Sequence, residues 1–210
     1  MRLLAENAAA IGDLEIMNGD FETAQKWLDE AVMLNQNFSN KNLMGNILYT
    51  YGKMALVQGD YEQARTSLHE SMVILDKSGI WIGQLWSQVL LGYVALREGN
   101  ITEAHHIFAR SIQEFQKDKN TIIGVVFAIE GMASLFVAVD KLEHAARLIG
   151  WTDMTREKIG DTRQPLEQAD MDRDIAAILM KIGSDAFEEV YDHGRTMTLD
   201  EAVAYALKEN

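Results

Sequence analysis

Small and apolar residues recur along this chain at helical spacing, and the pattern then repeats as a whole. Gly19-Asp20-Phe21 precedes Ala24, Gly59-Asp60-Tyr61 precedes Ala64 and Gly99-Asn100-Ile101 precedes Ala104, so the motif returns every 40 residues. A degraded copy, Asp140-Lys141-Leu142 before Ala145, starts 41 residues after Gly99. Seven residues before each turn stands a small residue: Gly12, Gly52, Gly92 and Ala133. Four residues after each alanine stands a large apolar one: Leu28, Leu68, Phe108 and Ile149.

Each mark has a physical reason. A small residue in one helix lets a second helix approach closely. Glycine followed by Asp or Asn suits a helix C-terminus and the N-cap of the next helix. The residue after that wedges between the two helices, and the alanine allows close packing in the second. The unit is therefore a helical hairpin, and because one hairpin cannot bury both its faces, hairpins must stack. The pattern predicts helices over 2–17, 21–35, 42–57, 61–76, 82–97, 101–117, 121–138 and 141–159. Short loops fall at Gln36–Lys41, Ser78–Ile80 and Asp118–Asn120.

After Trp151 the period stops. The only proline, Pro165, suits the first turn of a new helix. That helix runs from about Leu166 to Ile182, with Met171, Ile175, Ile178, Leu179 and Ile182 on one face. Gly183 ends it, Ser184 is placed to cap a short helix through Gly194, and Thr198 with Glu201 forms a capping box for a last helix, Leu199–Lys208. The organisation is four hairpins over 1–150 and a non-repeating helical cap over 151–210, which covers the open end of the stack.

Composition narrows the function. Lys and Arg number 19 against 32 Asp and Glu, a formal charge of −13, which disfavours nucleic-acid binding by this segment. With no cysteine there is no disulfide framework, thiol nucleophile or Cys-ligated metal. No apolar run reaches membrane-span length and no signal peptide is evident, so a cytoplasmic location is expected. There is no GxxxxGK[ST] loop, GxSxG elbow or HExxH pair. Of the five histidines, most fall at outward positions of second helices, and the adjacent His105 and His106 point about 100° apart on a helix. Asp170, Asp172 and Asp174 lack the glycine and final glutamate of a calcium loop and read as a solvated face. The eleven methionines mostly occupy core spacing. No nucleophile–base pair is found, so the chain is expected to be no enzyme, with no cofactor and no metal.

The period and the Gly-Asp-aromatic-x-x-Ala turn resemble the tetratricopeptide repeat (TPR), with a period longer than usual by about six residues. The resemblance covers residues 1 to about 150 and implies an all-α, right-handed TPR superhelix. The tail is more diagnostic. Ala145-Ala146-Arg147-Leu148-Ile149-Gly150, Phe187-Glu188-Glu189, Gly194-Arg195 and Thr198-Leu199-Asp200-Glu201-Ala202-Val203 look like the end of the C-terminal arm in LuxR-type and related ATP-dependent bacterial regulators of the STAND class, the maltose-activator-like proteins. The resemblance implies that this chain is the interaction or sensor arm of such a regulator, its ATPase module lying elsewhere, and the repeats beginning abruptly at Met1 fit a fragment. The fourth turn departs from the pattern, with Asp140 for Gly and Leu142 where the family often has Pro. A stand-alone TPR scaffold that assembles other proteins is the alternative.

In such a superhelix the first helix of each hairpin lines the concave groove. Counting from the small residue gives Glu6, Ala9 and Asp13 in the first repeat, Asn46, Tyr49 and Lys53 in the second, Trp86, Tyr93 and Arg97 in the third, and Phe127, Glu130 and Ser134 in the fourth. An aromatic groove carrying Lys53 and Arg97 suits a protein partner, an acidic peptide or a small polar effector, or the regulator's own ATPase module. The same aromatics equally suit the core of a long-helix solenoid, and position counting does not separate the two.

Overall fold

The Gly-Asp turns set the local geometry. Gly19, Gly59 and Gly99 adopt φ of 77°, 80° and 79°, the left-handed conformation that stops a helix. The following aspartates restart it: Asp20 Oδ1 accepts from the Thr23 backbone N–H at 3.0 Å and Asp60 Oδ1 from that of Gln63 at 3.1 Å. Where the fourth turn lacks glycine, Asp140 itself takes a positive φ of 64°, which Asp tolerates better than most residues.

A computed structural model describes residues 2–118 and 121–208. Lys119 and Asn120 of the third predicted loop lie outside the described residues, as do Met1, Glu209 and Asn210. The described chain is all-helical: α1 (Arg2–Asn18), α2 (Phe21–Gln36), α3 (Lys41–Gln58), α4 (Tyr61–Lys77), α5 (Trp81–Arg97), α6 (Ile101–Phe115), α7 (Ile122–Ala138), α8 (Leu142–Ile159), α9 (Pro165–Ile182), α10 (Ser184–Arg195) and α11 (Leu199–Ala206). The repeat helices lie within two residues of their predicted ends. Ser184 corrects the capping expectation: it is the first helical residue of α10, preceded by Gly183, and its hydroxyl donates to its neighbour Asp185. The last helix stops at Ala206, not at residue 208. Pro165 opens α9 as expected, and the Glu167 carboxylate accepts from the Gln164 backbone N–H at 3.2 Å. The Thr198–Glu201 capping box is present.

The chain divides into two compact units, 1–100 and 101–210. Residue 150, where the repeat pattern gives way to the tail, lies within α8. In the first unit α1 pairs with α2, α3 with α4, and α5 packs on α3 and α4. A methyl group on Gly12 would stand 2.9 Å from Leu28, and one on Gly52 would stand 2.5 Å from Leu68. The small residue and the large one therefore meet across the first two hairpins, as the spacing requires. Leu75 of α4 fits between Gly45 and Gly83 in the same way. Leu28, Ala31, Leu43 and Ile47 join α2 to α3 in one buried cluster. Full burial of each aliphatic side chain of this kind contributes about 1.5–3 kcal/mol.

In the second unit α6 packs on α7 through Phe108 against Gly131 and Phe115 against Gly124. Helix α7 is buried along most of its length, with α8, α9 and α11 against it. Helix α10 lies on α8 so closely that a methyl on Gly150 would come 2.1 Å from the Tyr191 carbonyl oxygen, and one on Gly194 would come 2.0 Å from that of Arg147. Met171 and Ile178 carry the buried face of α9, whereas Leu179 is exposed. Met180 is also exposed, against the expectation from its core spacing, and so is Met33.

Candidate functional site

The first helices of two successive repeats meet in the first unit. Glu6, Ala9 and Asp13 of α1 face Asn46 and Tyr49 of α3 across an open cleft of about 280 Å³, completed by Ala10, Leu43 and Thr50. Asn46 is exposed and Tyr49 half-buried, so a carboxamide and an aromatic ring are both presented there. Lys53 sits at the edge of the same face. Its Nζ donates to Asp13 Oδ1 at 2.9 Å and its side chain is only 12% exposed, so it joins α3 to α1 as a buttress. This corrects the expectation of a cationic groove, because the Lys53 charge is matched within the protein. Trp86 and Tyr93 are half-buried on α5 and Arg97 is exposed in its last turn.

The fourth repeat behaves differently. Phe127 and Glu130 are buried, so neither lines an open groove. Glu130 is covered by Arg156 of α8 and by Arg163, and α9 lies against α7. The Ser134 hydroxyl, on the same face, donates to Asp174 Oδ2 at 2.5 Å. Asp174 therefore faces α7, which corrects its reading as part of a solvated face. Helix α9 of the non-repeating tail therefore covers the face of α7 that carries Ser134.

Beneath it is a buried ion network. Arg156 of α8 donates through Nε and Nη2 to both carboxylate oxygens of Glu130, at 2.8 Å each. Arg163, in the turn before α9, donates through Nε to Glu130 at 2.8 Å and through Nη2 to the Thr152 hydroxyl at 3.2 Å. The Arg163 guanidinium lies 2.6 Å from Asp153, Arg156 also pairs with Asp161, and Tyr191 of α10 donates its hydroxyl to Asp153 at 2.7 Å. Burial disfavours the Arg156 charge, but the hydrogen bonds and charge of Glu130, with Asp161 and Glu167, more than offset it and hold the guanidinium above its ordinary range. Burial and the bond to Asp153 push the Tyr191 phenol up to about 12. These charges tie α7, α8, α9 and α10 together. The Glu130 carboxylate is held by two arginines, Arg156 and Arg163.

The sequence reading took Glu130 for a groove residue and missed Asp153, Arg156 and Arg163. A signal was present: Glu130 is the only charged residue in α7, and a lone carboxylate inside so apolar a helix must find a cation.

His144 is also more than surface. Its ring stacks on Tyr205 of α11 with centroids 4.9 Å apart and meets Phe136 edge-on at 5.6 Å, while the Arg147 guanidinium lies over the other ring of the stack, Tyr205, at 5.0 Å. Burial, then the charges of Lys141 and Arg147, lower the His144 pKa below its ordinary 6.5. The unfolded chain then takes up the proton first, so stability falls as pH drops below about 6.5 and levels off once the native imidazole is protonated. Denaturant midpoints of wild type and His144→Phe, compared across this window, should converge or cross as pH falls. A constant difference between them would contradict the assignment.

Among the described residues no group of three or more His, Asp or Glu side chains is arranged to hold a metal ion, and no helix is long and apolar enough to cross a membrane. Comparison with models of known protein families, with curated proteins and with solved structures finds no match to this chain.

Proposed function

We propose that this chain is a non-enzymatic binding arm of the tetratricopeptide type, a right-handed superhelix of helical hairpins closed by a helical cap. It serves a larger ATP-dependent bacterial regulator working in the cytoplasm. The observation that carries this reading is the α1–α3 cleft, where equivalent positions of two successive repeats face one another with Glu6, Asp13, Asn46 and Tyr49. Asn46 supplies a donor and an acceptor for peptide backbone, and Tyr49 an apolar wall with little entropy to lose. Both cleft carboxylates are paired within the protein, Glu6 with Arg2 and Asp13 with Lys53, so the preference for a neutral or basic peptide segment over an acidic one rests on the chain charge of −13. A partner seated there biases the regulator between two states to the extent that it binds one of them more tightly, typically by 1–3 kcal/mol, roughly 5–150-fold.

Panning a phage-displayed random peptide library against the chain tests the site. Enriched peptides should carry Lys or Arg beside an apolar anchor, and Asn46→Ala/Tyr49→Ala should weaken them about tenfold or more, since buried aromatic anchors dominate such interfaces. Enrichment of peptides that bind wild type and variant equally would move the site elsewhere. The regulator assignment has its own test. The gene must encode, in the same polypeptide, a nucleotide-binding module with a GxxxxGK[ST] loop, and a full-length product lacking one would leave the scaffold reading.

A further inference from the structure

The side of α1 turned away from both α2 and the cleft is apolar and open. Leu3 is 71% exposed and Leu14 53%, with Asn7 exposed between them on one arc of the helix. The two later first helices of the same unit show what such an arc is for. Forty residues on, Leu43, Ile47 and Met54 occupy the same positions of α3 and are 6%, 0% and 6% exposed. Leu43 and Ile47 are covered by Leu28 and Ala31 of α2, the second helix of the hairpin before. Eighty residues on, Gly83, Ser87 and Val94 occupy them in α5, and Ser87 and Val94 are fully buried. There the cover is α4: Leu75 lies against Gly83, and the Ser71 hydroxyl lies 3.0 Å from that of Ser87.

We propose that the Leu3/Asn7/Leu14 face of α1 is a docking surface for one further hairpin of this same repeat, stacked ahead of α1 and covering it with its second helix. The cleft reaches the edge of this arc at Ala10, but Leu3, Asn7 and Leu14 do not line it. The occupant's chemistry follows from the two observed interfaces. The residue at this position of the covering helix is small: Ser71, which meets Ser87, and its counterpart forty residues earlier, Ala31, buried in one cluster with Leu43 and Ile47. Opposite Asn7, whose carboxamide needs a hydrogen-bond partner once buried, the hydroxyl version fits. Aliphatic residues on either side complete the cover over Leu3 and Leu14.

The repeat supplies the probe. A second copy of residues 1–40, carrying Ala31→Ser, is joined directly before residue 1 of the full chain, which keeps the 40-residue register. The chain has no cysteine, so Leu14→Cys provides a single reporter thiol. In the extended protein a thiol reagent should label it about tenfold more slowly or more, because a covered side chain reacts only through local opening. The thermal midpoint should also rise, and Leu14→Glu should abolish that rise while leaving the unextended chain folded, its site being exposed. Equal labelling rates with an unchanged midpoint would overturn the proposal. So would an unextended chain that sediments as a dimer and becomes monomeric with Leu14→Glu, because the occupant would then be a second copy of the chain.

Discussion

Alanine at Gly150 or Gly194 should unfold the second unit's cap. At both positions the added methyl meets backbone, not a yielding side chain: the Tyr191 carbonyl oxygen at 2.1 Å and that of Arg147 at 2.0 Å. Rotamer changes cannot relieve such a contact. Helices α8 and α10 must separate, and with them goes the Tyr191–Asp153 hydrogen bond and the Arg195–Glu157 pair. Overpacking in a yielding core costs typically 1–3 kcal/mol, and a backbone collision belongs at or above the top of that range, about 3 kcal/mol. Gly19→Ala is the control. Nothing lies within 4 Å of its added methyl, and its cost is the left-handed backbone alone, roughly 1–2 kcal/mol. Denaturant unfolding of the three variants, with amide exchange read in α8 and α10, checks the ranking. If Gly150→Ala is as stable as wild type, the close crossing of these helices is wrong.

Cutting the buried ion network from one side should be at least as damaging. Glu130→Ala leaves two guanidinium groups, Arg156 and Arg163, without their shared partner. Breaking a buried pair in this way costs about 3–5 kcal/mol, because the remaining charge stays in a poorly solvated place. Arg156→Ala should cost about as much, by leaving Glu130, 2% exposed, with only Arg163. Replacing all three with Glu130→Leu/Arg156→Met/Arg163→Met should recover much of the loss, since a well-packed apolar substitute often matches a buried ion pair. The exposed pair Lys26–Glu22 on α2 provides the opposite case, and removing it should leave the urea midpoint almost unchanged. Urea midpoints of the single and triple variants decide it. A triple variant less stable than either single one would show that the network contributes more than mutual neutralisation.

The fold was readable wherever the determinants are local. Gly19 and Asp20 fix a turn through their own backbone and side-chain chemistry, and Gly12 and Leu28 announce a contact because the hairpin between them is short. The tail was readable helix by helix for the same reason: Pro165, Thr198 and Glu201 act within one turn. What the tail packs on was not. Glu130 finds Arg156 and Arg163 at separations of 26 and 33 residues, and no spacing rule links them. Gly150 and Gly194 both stood in segments singled out as the tail's signature, yet nothing in either segment says that the two backbones touch. The cleft was half legible: the periodicity placed Asn46 and Tyr49 opposite α1, but the Lys53–Asp13 pair, 40 residues apart, decides the charge a ligand meets.

The central claim is that the α1–α3 face receives the partner. Hydrogen-exchange mass spectrometry of the chain with and without its tightest library peptide tests it directly. The account predicts slowed exchange concentrated in α1 and α3, lost with Asn46→Ala/Tyr49→Ala, and unchanged rates in α9 and α10. Protection confined to α9 or α10, with α1 and α3 unaffected, would contradict it.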